Sequence, residues 1–288
     1  TSEPPSSQSG DYTGSDGVST DISDTSRLVV LNGDITEVIF ALGAGDRVIG
    51  RDLTTTYPPE AEALPDVGLY RTLTAEPVIA LNTSLVLGDE QVISESPEAV
   101  DQIRQAGNPD AVMRTEVSLE GVSRKIREIG KILGLEAEAD DLVVEVQEDI
   151  DEALALAAQA TSEPRAAYVY VRGPETLLLF GNGMPTYFML EAAGAIDSGA
   201  EAGVLFAEAL SAERLVTASP EVLITADEGL EIIGGLDAFL ALPGVADTPA
   251  GEAQQILAYD EALLLGMGPR TGEALKQLII DLHPELGG

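Results

Sequence analysis

Leu73-Thr-Ala-Glu-Pro-Val-Ile-Ala-Leu-Asn-Thr-Ser-Leu-Val-Leu87 decides the fold, because much the same text returns as Leu210-Ser-Ala-Glu-Arg-Leu-Val-Thr-Ala-Ser-Pro-Glu-Val-Leu-Ile224. Each copy opens on a hydroxyl residue suited to cap a helix, places an acid (Glu76, Glu213) in the first turn, and ends in a short apolar run suited to a buried strand. A helix–strand unit repeated once in each half predicts two pseudo-symmetric lobes. The chain length of 288 residues agrees, since single cores rarely grow past roughly 250 to 300 residues.

Outward from the first copy, Arg27-Leu-Val-Val-Leu31 reads as a buried strand. Asp34 follows as an N-cap with Glu37 three residues on, and Ile35, Val38, Ile39 and Leu42 lie on one helical face. Gly43 and Gly45 stop that helix and Arg47-Val-Ile-Gly50 begins a second strand, which gives an α/β opening. Ser96-Pro97 starts a helix that Gly107 closes, and the spacing of Leu119, Val122, Ile126, Ile129 and Leu133 predicts an amphipathic helix stopped by Gly134. Between Ala137 and Ala160 there is neither Gly nor Pro, and apolar residues recur at helical spacing, so one helix on the order of 35 Å is expected there. Past Pro164 the alternation restarts, with strands at 166–171, 177–180, 222–225 and 255–258 and helices near 186–193 and 271–282. The expected organisation is therefore a disordered tether over 1–26, an N-terminal lobe over 27–136, an interlobe helix over 137–160 and a C-terminal lobe over 161–288.

Composition narrows the function. Fifty acidic against 15 basic residues leave a net charge of −35, with Lys125, Lys131 and Lys276 the only lysines, so phosphate-rich partners such as nucleic acid are excluded. So acidic a surface repels itself at low salt, which suggests a saline habitat. Cysteine is absent, which removes disulfides, thiolate metal sites and a cysteine nucleophile. No apolar run approaches the roughly 20 residues of a membrane helix. Thr1–Ser26, rich in Ser, Thr, Gly, Asp and Pro, reads as the tether of an exported chain whose leader has been removed, with a lipid-attachment cysteine just before Thr1 as its membrane link.

Several segments resemble one family in order and spacing: Ala44-Gly-Asp-Arg-Val-Ile-Gly50, Thr56-Tyr-Pro58 with Leu64-Pro-Asp-Val-Gly68, Leu73-Thr-Ala-Glu76, Gly234-Gly-Leu-Asp237, Leu242-Pro-Gly244, Thr248-Pro-Ala-Gly251 and Leu264-Leu-Gly-Met-Gly-Pro-Arg-Thr271. Together they resemble the haem (hemin) substrate-binding proteins of bacterial ABC importers, within the group that also carries cobalamin and siderophores. The resemblance implies two α/β lobes joined by one long helix, a ligand cleft between the lobes, haem as transported ligand, a permease dimer as partner, and an extracytoplasmic monomer. In this family a tyrosine within Val-Gly-Tyr-x-Arg ligates the iron. Here the text is Val67-Gly-Leu-Tyr70-Arg71, with the tyrosine displaced by one residue, and Tyr70 is the implied ligand. Ferric iron is a hard cation that suits a phenolate oxygen. Met184 or Tyr187, in Gly181-Asn-Gly-Met-Pro-Thr-Tyr187 after a strand, would cover the second haem face. Arg71, Arg51 and Arg172 are the candidates for haem propionates or for stabilising the phenolate, and the loop Ala226-Asp-Glu-Gly-Leu230 is expected in the cleft wall. Glu76 and Glu213 match the positions at which the wider group presents one carboxylate per lobe to permease arginines.

The same residues bear on three rival functions. A zinc or manganese carrier needs a histidine cluster, and the chain has only His283, expected to be exposed near the C-terminus. A siderophore or cobalamin carrier would share the fold and docking acids, but with no tryptophan and few aromatics the pocket tilts toward haem. An enzyme on an α/β scaffold would need a catalytic constellation, and there is no Gly-x-Ser-x-Gly elbow, phosphate loop or cysteine nucleophile.

Overall fold

A computed structural model describes residues 10–287. The chain divides into two compact units, one formed by residues up to Glu116 with Glu120–Glu145, the other by Val146 onward with Val117–Leu119. The helix Glu136–Ala157, 22 residues long, runs across the division at 145/146.

The first unit is built on a four-stranded parallel sheet. Its strands are β3 (Leu28–Val30), β4 (Val48–Arg51), β5 (Leu85–Asp89) and β6 (Asp110–Met113), in the order β4-β3-β5-β6. Leu28, Val29 and Val30 have no exposed surface, as expected where helices cover both faces of a parallel sheet. Helices Gly33–Ala41, Ala75–Ala80, Pro97–Gln105 and Leu119–Leu133 supply those covers. On the last, Val122, Ile126, Ile129 and Leu133 are all buried, which the apolar spacing predicts. Burying each such side chain contributes about 1.5–3 kcal/mol. Asp34 is not the cap of the first helix. Asn32 holds that position, its side chain accepting the Asp89 amide instead, while Asp34 pairs with Lys125 from the first turn.

Ahead of this sheet the structure departs from the expected tether. Strands β1 (Asp11–Thr13) and β2 (Ser19–Asp21) form an antiparallel hairpin with Tyr12, Thr20 and Ile22 buried. The Tyr12 hydroxyl donates to Glu128, and burial with that neighbouring carboxylate pushes its ionisation far up. The Thr20 hydroxyl donates to the Asp110 carbonyl, and Arg104 joins Asp16 to Asp110. Three inward side chains and an ion-paired arginine thus order a segment whose composition is that of a linker; residues 1–9 of the expected tether lie outside the described residues.

The second unit holds β7 (Arg165–Val171), β8 (Leu177–Phe180), β9 (Ile196–Asp197), β10 (Ala207–Ala209), β11 (Val222–Ala226) and β12 (Ile256–Tyr259) in one mixed sheet ordered β10-β8-β7-β11-β12, with β9 beside the start of β7. β7, β11 and β12 run parallel, whereas β8 runs antiparallel to β7, Val171 facing Leu177 and Val169 facing Leu179. The repeated helix–strand text occupies equivalent places: Ala75–Ala80 leads into β5 and Ala212–Ala218 into β11, each strand internal to its sheet. His283 is wholly buried rather than exposed. Its Nε2 lies 2.8 Å from the Ala193 carbonyl and its Nδ1 3.4 Å from the Ser162 hydroxyl, tying the end of the closing helix Thr271–Leu282 to two other segments of this unit.

Candidate ligand-binding site

Ligands of parallel α/β sheets collect at the carboxyl ends of the strands, which makes that edge of each unit the candidate site. In the first unit, the chain leaves β4 and runs beside it through an Arg51–Asp66 bridge before turning at Tyr70–Thr72. Gly68, at φ +100°, permits the bend that leads into this turn. The Tyr70 ring is 8% exposed and packs with Val67, Leu73, Val92 and Val100. The Ser96 hydroxyl fixes the turn by donating to the Tyr70 carbonyl at 2.7 Å and makes no capping bond to the helix that it precedes.

Arg71 folds back over this ring. Its Nε donates to the Tyr70 hydroxyl oxygen at 3.0 Å, and its guanidinium carbon lies 5.4 Å from the ring centroid. Burial pushes the Tyr70 phenol up, the Arg71 charge and hydrogen bond pull it down, and the carboxylates of Asp89 and Glu95 push it up again. Asp89, at the end of β5, is itself held above the usual carboxylate range by burial. The structure thus brings the two sequence candidates Tyr70 and Arg71 together, the phenol buried and the guanidinium on its oxygen.

Arg51 is placed differently from its expected role. Its guanidinium donates to the carbonyls of Glu62 and Asp52 and faces Asp66 at 3.7 Å, so it braces the loop beside β4. Met184 and Tyr187 lie after β8, and because β8 is antiparallel they stand toward the edge at which β7 begins, away from the carboxyl edge. The Tyr187 hydroxyl donates to Glu191 at 2.6 Å, a bond that pushes its ionisation up. The segment Ala226–Leu230 is not a loop: Ala226 ends β11 and Asp227 opens the helix Asp227–Ile233. Glu76 and Glu213 are exposed, each in the first turn of the helix leading to its internal strand.

At the carboxyl edge of the second unit the structure gives Arg172, a candidate from the sequence, a partner that the sequence reading missed, Tyr170. Arg172, just past β7, donates from Nε to the Tyr170 hydroxyl oxygen at 3.0 Å, with its guanidinium carbon 5.8 Å from the ring centroid. Tyr170 stacks on Phe180 at 5.4 Å, and Arg172 also meets Glu261 at 3.0 Å. The readable signal was the spacing: residues two apart in a strand share a face, so Tyr170 and Arg172 point the same way.

Two edges that each offer a phenol under a guanidinium, on a duplicated α/β scaffold, describe a ligand carrier. The chain belongs to the periplasmic binding protein family, matched over residues 28–263. This membership makes it an extracytoplasmic carrier of the ABC-importer type and not an enzyme, as the sequence implied. It is similar to the periplasmic heme-binding protein RhuT from Roseiflexus sp. RS-1, with 42% identity, a TM-score of 0.87, and coverage of 91% of this chain and 100% of the other. An uncharacterized ABC transporter substrate-binding lipoprotein, YvrC, of Bacillus subtilis is 27% identical over 90% of this chain and 80% of its own. A cobalamin-binding protein of Halobacterium salinarum is 26% identical over 91% of this chain and 70% of its own.

Proposed function

We propose that the chain binds haem outside the cytoplasm and delivers it, as a membrane-anchored monomer, to the permease dimer of an ABC importer. One observation carries the reading: the buried Tyr70 phenol with the Arg71 guanidinium on its oxygen. Ferric iron prefers such an oxygen donor, and a cation beside it stabilises the phenolate. On ligation the Tyr70 O–H bond breaks, an iron–oxygen bond forms and the proton leaves to solvent. Haem affinity therefore falls as pH falls. The Roseiflexus relative supports haem as cargo, and the lipoprotein name of the Bacillus relative supports an anchor. Arg71 and Arg172 are the arginines suited to stabilise phenolate or propionate; Arg51 is used within its own loop.

The test is a hemin titration read by absorbance on the wild type, Tyr70→Phe and Tyr170→Phe. A shifted Soret band with wild type, and about tenfold or greater loss of affinity with an altered spectrum in Tyr70→Phe, is expected. An unchanged hemin spectrum with wild type would remove haem as cargo. A cobalamin carrier is the second reading, favoured by the Halobacterium relative, and titration with hydroxocobalamin decides it.

Glu76 and Glu213 are proposed to dock on permease arginines. Glu76→Ala with Glu213→Ala is expected to retain hemin binding while abolishing stimulation of the reconstituted transporter's ATPase; undiminished stimulation would count against docking.

A further inference from the structure

β6 ends at Met113, which is buried and lies in register with Asp89 at the end of β5. The next residue, Arg114, therefore leaves the sheet of the first unit at the carboxyl ends of its strands. Its backbone is pinned on both sides, by Met113 in the strand and by the Thr115 hydroxyl, which donates to Asp89 Oδ2 at 2.8 Å. Asp89 is close enough for its charge to act on the Tyr70 phenol. Arg114 is exposed, and it is the one arginine with no hydrogen bond or ion pair among the described residues. The two acids beside it are committed elsewhere, Asp89 to Thr115 and the Gln91 amide, Glu116 to Arg124. Arg51 and Arg71, the other arginines of the candidate site in this unit, spend their donors on the loop beside β4 and on the Tyr70 oxygen. With 50 acids against 15 basic residues the chain repels an anionic ligand at long range, so a ligand bearing carboxylates needs a local cation that no protein acid has already neutralised.

We propose that Arg114 is a specificity-determining residue of the first unit: its guanidinium takes a carboxylate of the ligand in paired hydrogen bonds, and so selects a porphyrin with free propionates over a tetrapyrrole of similar size whose side chains are neutral amides. The inference rests on the haem-carrier reading and adds a ligand contact separate from the iron. A planar guanidinium matches a carboxylate with two parallel N–H donors, whereas a neutral amide oxygen brings it no charge. An exposed ion pair contributes little to folding, so the free chain loses almost nothing by leaving Arg114 unmatched. Once a ligand excludes water from the same guanidinium, its attraction for a carboxylate strengthens.

Hemin and hemin dimethyl ester share iron and ring and differ only in their free carboxylates. Both are titrated by absorbance against the full chain as wild type, Arg114→Gln and Arg114→Lys. Wild type is expected to bind hemin about three- to tenfold more tightly than the ester. In Arg114→Gln that preference is expected to vanish: hemin affinity falls by about the same factor, ester affinity stays, and the spectrum of bound hemin matches wild type because the iron ligand is untouched. Arg114→Lys keeps the charge without the paired donors and is expected to retain part of the preference. Equal wild-type affinity for the two porphyrins, or an equal loss for both in Arg114→Gln, would overturn the inference and leave haem carriage standing. Wild type that ignores hemin takes down both. The wild-type comparison decides even where a variant fails to fold.

Discussion

Asp52 has no exposed surface, yet it is a carboxyl group, and that conflict gives the clearest pH dependence in the molecule. Burial pushes it up to about 7, against the hydroxyl bonds it accepts from Thr54 and Thr55. Burial likewise raises Asp197 to about 6. In the unfolded chain such groups titrate near 3.8. Between that value and about 7 the native state therefore holds more protons than the unfolded state, and stability falls as pH rises through the window. Asp52→Asn keeps an acceptor for the threonine hydroxyls and removes the charge. We expect it to raise the melting temperature at pH 8, by a free energy on the order of 1–4 kcal/mol, and to change little at pH 4. Melts from pH 4 to 8 check this; a variant that tracks wild type in parallel would show that Asp52 is ionised without penalty. The same logic frames Tyr70, whose phenol burial pushes up against the pull of the Arg71 charge and hydrogen bond.

Helices with sharp apolar spacing and punctuation were readable from sequence: Leu119–Leu133 and Thr271–Leu282 stand where their patterns put them, and Gly134, at φ +71°, ends the first. Its turn shows why glycine also sits inside that helix. A Cβ on Gly130 would stand 2.3 Å from that of Ala139 and 3.0 Å from the Leu135 carbonyl, so Gly130 lets the helix start of Glu136–Ala157 approach. Alanine is favoured in helices by about 1 kcal/mol, but overpacking costs about 1–3 kcal/mol. Gly130→Ala is therefore expected to lower the melting temperature, and a gain would mean that the two helices separate freely. Other elements were not readable because their causes are not local. The hairpin β1–β2 depends on Tyr12 reaching Glu128, far along the chain. The direction of β8 is set by its pairing with β7, so a segment that follows a strand in sequence still falls at the opposite edge from Arg172. Tyr70 and Arg71, adjacent in a recognisable loop, were readable, whereas Tyr170 looked like one more apolar strand residue until Arg172 was seen to fold onto it.

For the whole molecule the dominant quantity is charge. Arg104, Arg124, Lys125, Arg165, Arg172 and Arg214 already sit in ion pairs, so most of the 50 acids have no cation to meet. The excess is concentrated on Glu136–Ala157, where Glu145, Glu148, Asp149 and Glu152 are exposed at helical neighbour spacing and no basic residue occurs. Like charges at such spacing destabilise a helix by about 0.2–0.5 kcal/mol per pair. The screening length shrinks from about 10 Å at 0.1 M salt to about 3 Å at 1 M, so sodium chloride should raise the melting temperature steadily across that range. Salt also strengthens apolar burial, and a substitution separates the two causes. Glu148→Lys places a cation beside Glu145 and Glu152, turning repulsions into attractions. At 0.05 M salt this variant is expected to melt above wild type, and the gap is expected to close toward 1 M. A gap that persists unchanged at high salt would trace the effect to packing or helix propensity rather than to the field of the acidic surface.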